Sequence, residues 1–497
     1  MKRLIYVGFD QLHRDYGALR DANPETDVIV IVESQRMLAS RQWHVQRLWF
    51  MISAARHFVE ALKSEGFRVH YVKAESTRDG IESVASELGV KELIASTPHS
   101  IRLSRELSGL VEFLPNDFFL TSRDEFSAWA SSQKKLLMEN FYQEQRRRLN
   151  ILMDGNTPVG GQWNYDKENR QPLPKGYVFP EYLSHEMDDL DREVLQELKS
   201  SSLDLWGSDP DLTWSTQRKG ALVQLNHFLE NNFALFGPYE DAMTTENWSL
   251  HHSLLTPYLN IGLLHPREVI EAAIKKYAEG SIPIASAEGF IRQIIGWREY
   301  INGVYWHFGE EYKEHNKLEL NRPLLPFFSD PSKTSMKCVS TQIRDIQQRG
   351  WAHHIPRLMI LSNIALLAGV NPQEFLAWMR EVFIDAAEWV MVPNVIGMGM
   401  HSDGGQMMTK PYVSGGSYIS KMSNYCKSCV YDPKLRVGEK ACPFTNLYWN
   451  FLHENRETFS KNHRMFQQLN GINRLKDLDE TLGESKRILH ELSEGSI

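Results

Sequence analysis

The chain has 497 residues, 42% of them hydrophobic and 24% charged, so it can bury large cores in two or three domains without disulfide staples. A net charge of −8 does not advertise a nucleic-acid binder, and no apolar run of about 18 residues or more is present to cross a membrane. Lys2-Arg3 precedes only a short apolar run before Asp10, too short for a signal-peptide core, so a cytoplasmic location is expected.

Residues 1–130 read as a Rossmann-like α/β domain with a parallel sheet. Residues 4–7 and 28–32 are continuous apolar runs, the pattern of strands covered on both faces. Residues 43–65 have helical spacing, with Leu48, Trp49, Ile52, Val59 and Leu62 on one side. Strand candidates follow at 68–72, 92–95 and 111–114, with helical stretches between them. No Gly-rich dinucleotide loop follows the first strand. Ligands of such sheets bind beyond the carboxyl ends of the strands, where Asp10 and Glu33 stand. These two carboxylates either hold a small polar chromophore or cap helices.

Residues 131–215 form a connector. Its stretch 155–182 is rich in Gly, Pro and Asn and reads as a long ordered loop between domains. From 216 to 497 the pattern is all-helical. Segments 290–305, 355–367 and 372–383 repeat apolar residues at three- and four-residue spacing, and 475–492 reads as an amphipathic helix. Charge is uneven. Residues 405–465 carry nine Lys/Arg against four acids, whereas 181–211 carry ten acids against two bases. The first region could meet phosphates; a solvated surface is the plainer alternative.

The four cysteines are Cys338, Cys426, Cys429 and Cys442. Cys426 and Cys429 form a C-x-x-C pair, and Cys442 precedes Pro443. Disulfides suit a cytoplasmic chain poorly, and four thiolates can ligate one metal centre. The Cys-Pro ending favours an iron–sulfur cluster and the single knuckle disfavours a zinc ribbon, but on spacing alone the two stand close to even.

Four further segments carry a family pattern. Ser253-Leu254-Leu255-Thr256-Pro257-Tyr258-Leu259-Asn260-Ile261-Gly262 resembles the flavin-phosphate segment of the photolyase/cryptochrome family. Gly296-Trp297-Arg298-Glu299-Tyr300 resembles its Trp-Arg-Glu motif. His353-His354-Ile355-Pro356-Arg357 resembles its His-x-x-Arg segment, and Phe383-Ile384-Asp385-Ala386 its flavin-binding Asp segment. The order and spacing match as well. The cysteine arrangement, with Pro393-Asn394-Val395-Ile396-Gly397-Met398 and Thr409-Lys410-Pro411-Tyr412, resembles the iron–sulfur bacterial cryptochromes and photolyases.

That resemblance implies an FAD-binding helical domain with a 4Fe-4S cluster on the four cysteines. It also implies a 6,7-dimethyl-8-ribityllumazine antenna on Asp10 and Glu33. Tyr239, His252, Ser253, Leu255 and Thr256 are expected to hold FAD. So are Gln293, Trp297, Arg298, Arg357, Asp385, Ala387 and Asn394. For Ser253 and Thr256 the competing role is helix capping, and for Arg357 and Asp385 a plain salt bridge. His354 is expected to supply the proton that (6-4) repair needs, with adjacent His353 as the other candidate. Trp378 is expected to relay electrons, although core packing is the default for a Trp on an apolar helix. Its neighbour is Met379, where the subgroup has a redox-active Tyr. Met391 stands where most members place Asn or another polar residue near the flavin N5, and a thioether cannot donate a hydrogen bond there.

The expected partner is UV-damaged DNA, double- or single-stranded, with the lesion flipped out of the helix and Lys410, Tyr412, Lys421 and Lys427 against lesion or phosphates. A monomer is expected, on the nucleoid when bound. The leading function is light-driven repair of (6-4) pyrimidine photoproducts. The alternatives are a cyclobutane-dimer photolyase, a blue-light photoreceptor with the same cofactors, and a non-photochemical iron–sulfur nucleic-acid module.

Overall fold

The structure is a computed structural model that describes residues 3–497; Met1 and Lys2, on which the signal-peptide reading partly rests, lie outside the described residues. Strands β1 (Arg3–Tyr6), β2 (Asp27–Ser34), β3 (Arg68–Ala74), β4 (Leu93–Ser96) and β5 (Glu112–Leu114) form one sheet. Its order is β3-β2-β1-β4-β5 and every pairing is parallel. The continuous apolar runs follow from burial on both faces. Ile5, Ile29 and Ile31 enter one core, whereas Leu4, Tyr6, Val28, Val30 and Val32 enter another. Helix α1 (Val45–Ser64) covers the first face through Leu48, Ile52, Val59 and Leu62. Helix α2 (Thr77–Leu88) covers the second through Ile81, Val84 and Ala85. A Cβ on Gly80 would stand 2.6 Å from Val32 Cγ1, so glycine lets α2 sit close on the sheet.

Helix α1 starts later than the periodicity predicts. Trp43–His44 instead pairs in parallel with Leu205–Trp206 of the connector. The His44 imidazole then caps the helix, accepting from the Gln46 amide at 3.2 Å.

The connector is an ordered segment with helical structure on either side of its glycine-rich loop. It includes the helices Met138–Leu149 and Asp189–Ser200. Its glycine-rich stretch is pinned to the helical half. The Tyr165 amide donates to Glu288 at 3.0 Å, and Asn169 Nδ2 donates to Glu240 at 2.9 Å. One apolar cluster runs from Ile5 through Tyr142 and Leu198 to Phe290.

The remainder is mostly helical. The predicted helices at 290–305 and 355–367 each contain a π-helical turn, Arg292–Arg298 and Pro356–Ser362, and a third lies at Pro393–Gly399. The helices Pro372–Val382 and Leu478–Glu494 stand close to their predicted places. Among the described residues no helix is long and apolar enough to cross a membrane.

Candidate active site

A cavity of about 630 Å³ opens among the helices of the C-terminal half. Three of the four π-helical turns among the described residues form much of its wall. They contribute Arg292, Gln293, Trp297 and Arg298, then Arg357 and Ser362, then Asn394 and Met398. A π turn widens the helix by one residue and shifts the side-chain register, and such turns concentrate at functional sites.

Asp385 anchors one side. Arg357 donates to it through both terminal nitrogens, at 2.9 and 3.0 Å, and Thr256 Oγ1 donates at 2.6 Å. Asn260 Nδ2 reaches the Asp385 carbonyl at 2.8 Å. The Arg357 guanidinium also lies 4.0 Å from the centre of the Phe383 ring. The pair is nearly buried, so its geometry is fixed. Ser253 and Leu255 line the same wall, within a segment strained at Leu250 and Leu254, whose φ angles are +44° and +58°. Such strain in non-glycine residues costs on the order of 1–3 kcal/mol each and clusters at functional sites.

Three histidines form the next feature. His252 stacks on His353 at 4.1 Å between ring centres, and His354 lies edge-on to His252 at 5.6 Å. Burial pushes the imidazolium pKa of His252 and His353 well down, so both rings are neutral near pH 7. The His354 side chain is 46% exposed, with Nε2 3.8 Å from Asp241 Oδ1.

Beside them, Gln293 Nε2 donates to Glu240 Oε1 at 2.6 Å. Burial raises the Glu240 pKa against the pull of nearby Arg292. Arg298 pairs with Glu299 at 2.9 Å and lies over Phe119. Several buried polar atoms of the cavity lining have no partner, among them Arg292 Nη2, Arg298 Nε, His252 Nε2 and His353 Nδ1. Lys410 and Tyr412 line the cavity together with Asp166 and Arg170 of the connector.

A (6-4) photolyase from Agrobacterium fabrum is 39% identical over 480 residues, which cover 94% of each chain. The chain belongs to the photolyase family. The family model described as deoxyribodipyrimidine photo-lyase-related protein matches residues 5–214. An uncharacterised mimivirus protein of Acanthamoeba polyphaga mimivirus is 30% identical over 134 residues, 27% of this chain and all of its own. Among solved structures, a bacterial class III photolyase from Agrobacterium tumefaciens superposes with a TM-score of 0.58 over 99% of this chain and 96% of its own. At 15% identity that likeness bears on the fold alone.

Within this photolyase-family fold, not every residue expected at the flavin site lines the cavity. Tyr239 packs beside Tyr177 and His251, and its successors Glu240 and Asp241 line the wall in its place. Ala387 caps the short helix Glu388–Val392, its carbonyl accepting from the Met391 amide at 2.9 Å. Trp378 is buried outside the wall. Its indole donates to the Phe328 carbonyl at 3.0 Å and its ring meets Phe328, Phe375 and Phe383. Phe383 in turn underlies Arg357, so one ring separates Trp378 from the cavity's ion pair. Lys421 and Lys427 are exposed near the cysteines and do not line the cavity. Met391 is buried and does line it.

The four cysteines surround a second, small cavity with Met336, Ile419 and Tyr425. They come from three segments. Cys338 opens the helix Lys337–Arg349, Cys426 and Cys429 lie on one turn, and Cys442 is the N-cap of the helix Pro443–Glu454.

At the carboxyl end of the central strands, Asp10 Oδ2 lies 3.5 Å from His99 Nδ1. Glu33 is buried, accepting from Tyr71 OH at 2.5 Å and lying 3.5 Å from Arg56. Neither carboxylate caps a helix in these contacts.

Asn260, Glu240, Asp241, Asp166 and Arg170 are cavity residues that the sequence reading did not single out. Asn260 follows Thr256 by one helical turn, so its position on the same face was open to spacing arguments. Asp166 and Arg170 come from an irregular loop, which has no periodic signal.

Proposed function

We propose that this protein is a light-driven (6-4) photolyase that binds FAD in the large cavity and takes the flipped lesion at its mouth. The observation that carries this reading is the cavity wall, with a fixed Arg357–Asp385 pair and unpartnered Arg292, Arg298 and His252 atoms. Buried polar atoms without partners are rare in native proteins and call for a ligand. A diphosphate, an adenine and an isoalloxazine supply acceptors and donors of that kind, and the volume lies within the usual range for cofactor pockets. The relative of 39% identity is itself named a (6-4) photolyase.

When bound and reduced, the flavin supplies an excited-state electron. The chain's residues do the rest. Arg357 and Asp385 hold the ring, Ser253, Thr256 and Arg298 hold the polar remainder, and apolar Met391 and Trp389 exclude water. The exposed imidazole of His354 meets the lesion and gives it a proton, while buried His353 and His252 pack behind. Lys410 and Tyr412 border the lesion. Lys421 and Lys427, away from the cavity, fit phosphate contacts. Trp378 feeds electrons towards the cavity through the Phe383 contact.

The four cysteines around one small, apolar-lined cavity fit a 4Fe-4S cluster, and the Cys442-Pro443 ending matches ferredoxin-type ligation.

Three experiments bear on this reading. Illumination of the reduced protein with duplexes carrying one (6-4) or one cyclobutane lesion should restore the first and not the second; the reverse selectivity would contradict the proposal. Asp385→Asn should release flavin on dialysis and cost about 3–5 kcal/mol of stability, because it leaves Arg357 nearly buried without its charge partner. Full flavin occupancy after dialysis would remove Asp385 from the site. The double variant Asp10→Ala/Glu33→Ala should lose lumazine absorption and keep FAD, with repair lowered only in light efficiency. Unchanged antenna absorption would exclude these two carboxylates as its ligands.

A further inference from the structure

Phe466 is 64% exposed, more than any other Phe, Tyr or Trp among the described residues. It opens the helix Phe466–Ile472. Two neighbours, Met465 and Gln468, line the large cavity, and Met465 is only 1% exposed. These two lie three residues apart on one helical face, and Phe466 stands a quarter turn round from Met465. The phenyl ring therefore stands in water, next in the chain to a residue that lines the cavity.

Its surroundings are basic. Lys461, His463 and Arg464 are exposed in the preceding turn. That turn is bonded to the loop segment that carries Lys410 to the cavity. Asn462 Nδ2 donates to the Thr409 carbonyl at 2.7 Å, and Arg464 Nη1 donates to Thr409 Oγ1 at 2.9 Å. One rigid unit thus presents a cavity wall, an exposed aromatic ring and three basic side chains. The basic groups match a phosphate backbone, and an aromatic ring stacks on bases of any sequence.

A lesion that enters the cavity from a duplex leaves a gap in the base stack. DNA-bending proteins fill such gaps with apolar side chains inserted between base steps. We propose that Phe466 is this wedge: it enters the duplex beside the flipped lesion and stacks on the bases left behind. The proposal rests on the reading of the cavity as a lesion pocket and adds the residue that opens the double helix. It assigns Phe466 to duplex substrates alone, since a single strand has no stack to fill.

The experiment compares Phe466→Ala and Phe466→Trp with the wild-type holoenzyme in the dark. Dissociation constants are measured for a duplex and for a single strand carrying the same (6-4) lesion, and for both undamaged. A 2-aminopurine opposite the lesion reports stacking through its fluorescence. Phe466→Ala should weaken lesion-duplex binding roughly tenfold or more, the size of one lost base–aromatic stack. Its affinity for the lesion single strand should stay within a factor of two, and Phe466→Trp should restore duplex affinity and 2-aminopurine quenching. Equal weakening on both substrates would overturn the wedge and leave Phe466 a general surface contact. So would a Phe466→Ala protein with wild-type duplex affinity that still prefers the lesion single strand. A wild-type protein that binds damaged and undamaged single strands alike would overturn the lesion pocket itself, and the wedge with it.

Discussion

His354→Ala should keep FAD, the cluster and lesion affinity, and lose repair. General acid catalysis is commonly worth roughly 10² to 10⁴ in rate, so the photochemical yield should fall close to nothing. The geometry makes the variant clean. His354 is the exposed member of the three histidines, and its near polar partner is Asp241 at 3.8 Å. Truncation at that place removes little packing, whereas His353 is 5% exposed and stacked on His252, so His353→Ala should cost stability. Restored DNA counted per absorbed photon, alongside flavin content and melting temperature, separates the two roles. Wild-type yield in His354→Ala would move the acid elsewhere, with His353 first in line.

Replacing any one cysteine with Ser should remove iron and soluble protein together. Cys338, Cys426/Cys429 and Cys442 bring three separate segments around one small cavity, and two of those segments begin helices that pack in the main core. Structural metal binding contributes on the order of 10 kcal/mol of folding energy, comparable with the whole stability of a domain. The effect should be strongest at Cys338 and Cys442, which are 7% and 8% exposed, because a hydroxyl there loses its metal and stays buried. Iron and sulfide analysis after anaerobic purification checks this. Stoichiometric zinc without iron in the wild-type protein would contradict it.

Much of this was legible in the amino-acid order, for physical reasons. The parallel sheet shows itself because β1 and β2 bury both faces and so cannot alternate apolar with polar residues. The start of α1 does not. Trp43 carries the helical spacing, but its backbone pairs with Leu205, far along the chain, and no local pattern encodes that partner. The π turns are hidden for a related reason. One added residue per turn leaves the three- and four-residue spacing of 290–305 nearly intact while rotating Gln293 and Trp297 onto the cavity wall. Tyr239 shows the cost of that blindness. It stands one residue from Glu240, and one step round a helix is 100°, enough to exchange the cavity for the Tyr177–His251 packing. The Arg357–Asp385 pair was legible through the family pattern. The approach of Thr256 and Asn260 to it was not, since it depends on how their helix meets the distant turn that carries Asp385.

The measurement closest to the central claim follows the emission lifetime of the reduced flavin on a picosecond scale, with (6-4) DNA and with undamaged DNA, in wild-type and His354→Ala proteins. (6-4) DNA should shorten the lifetime in both proteins, undamaged DNA in neither, and restored bases should accumulate only with wild type. A wild-type lifetime indifferent to the lesion would mean that the large cavity does not bring flavin and lesion together, and the proposed photolyase chemistry would fall with it.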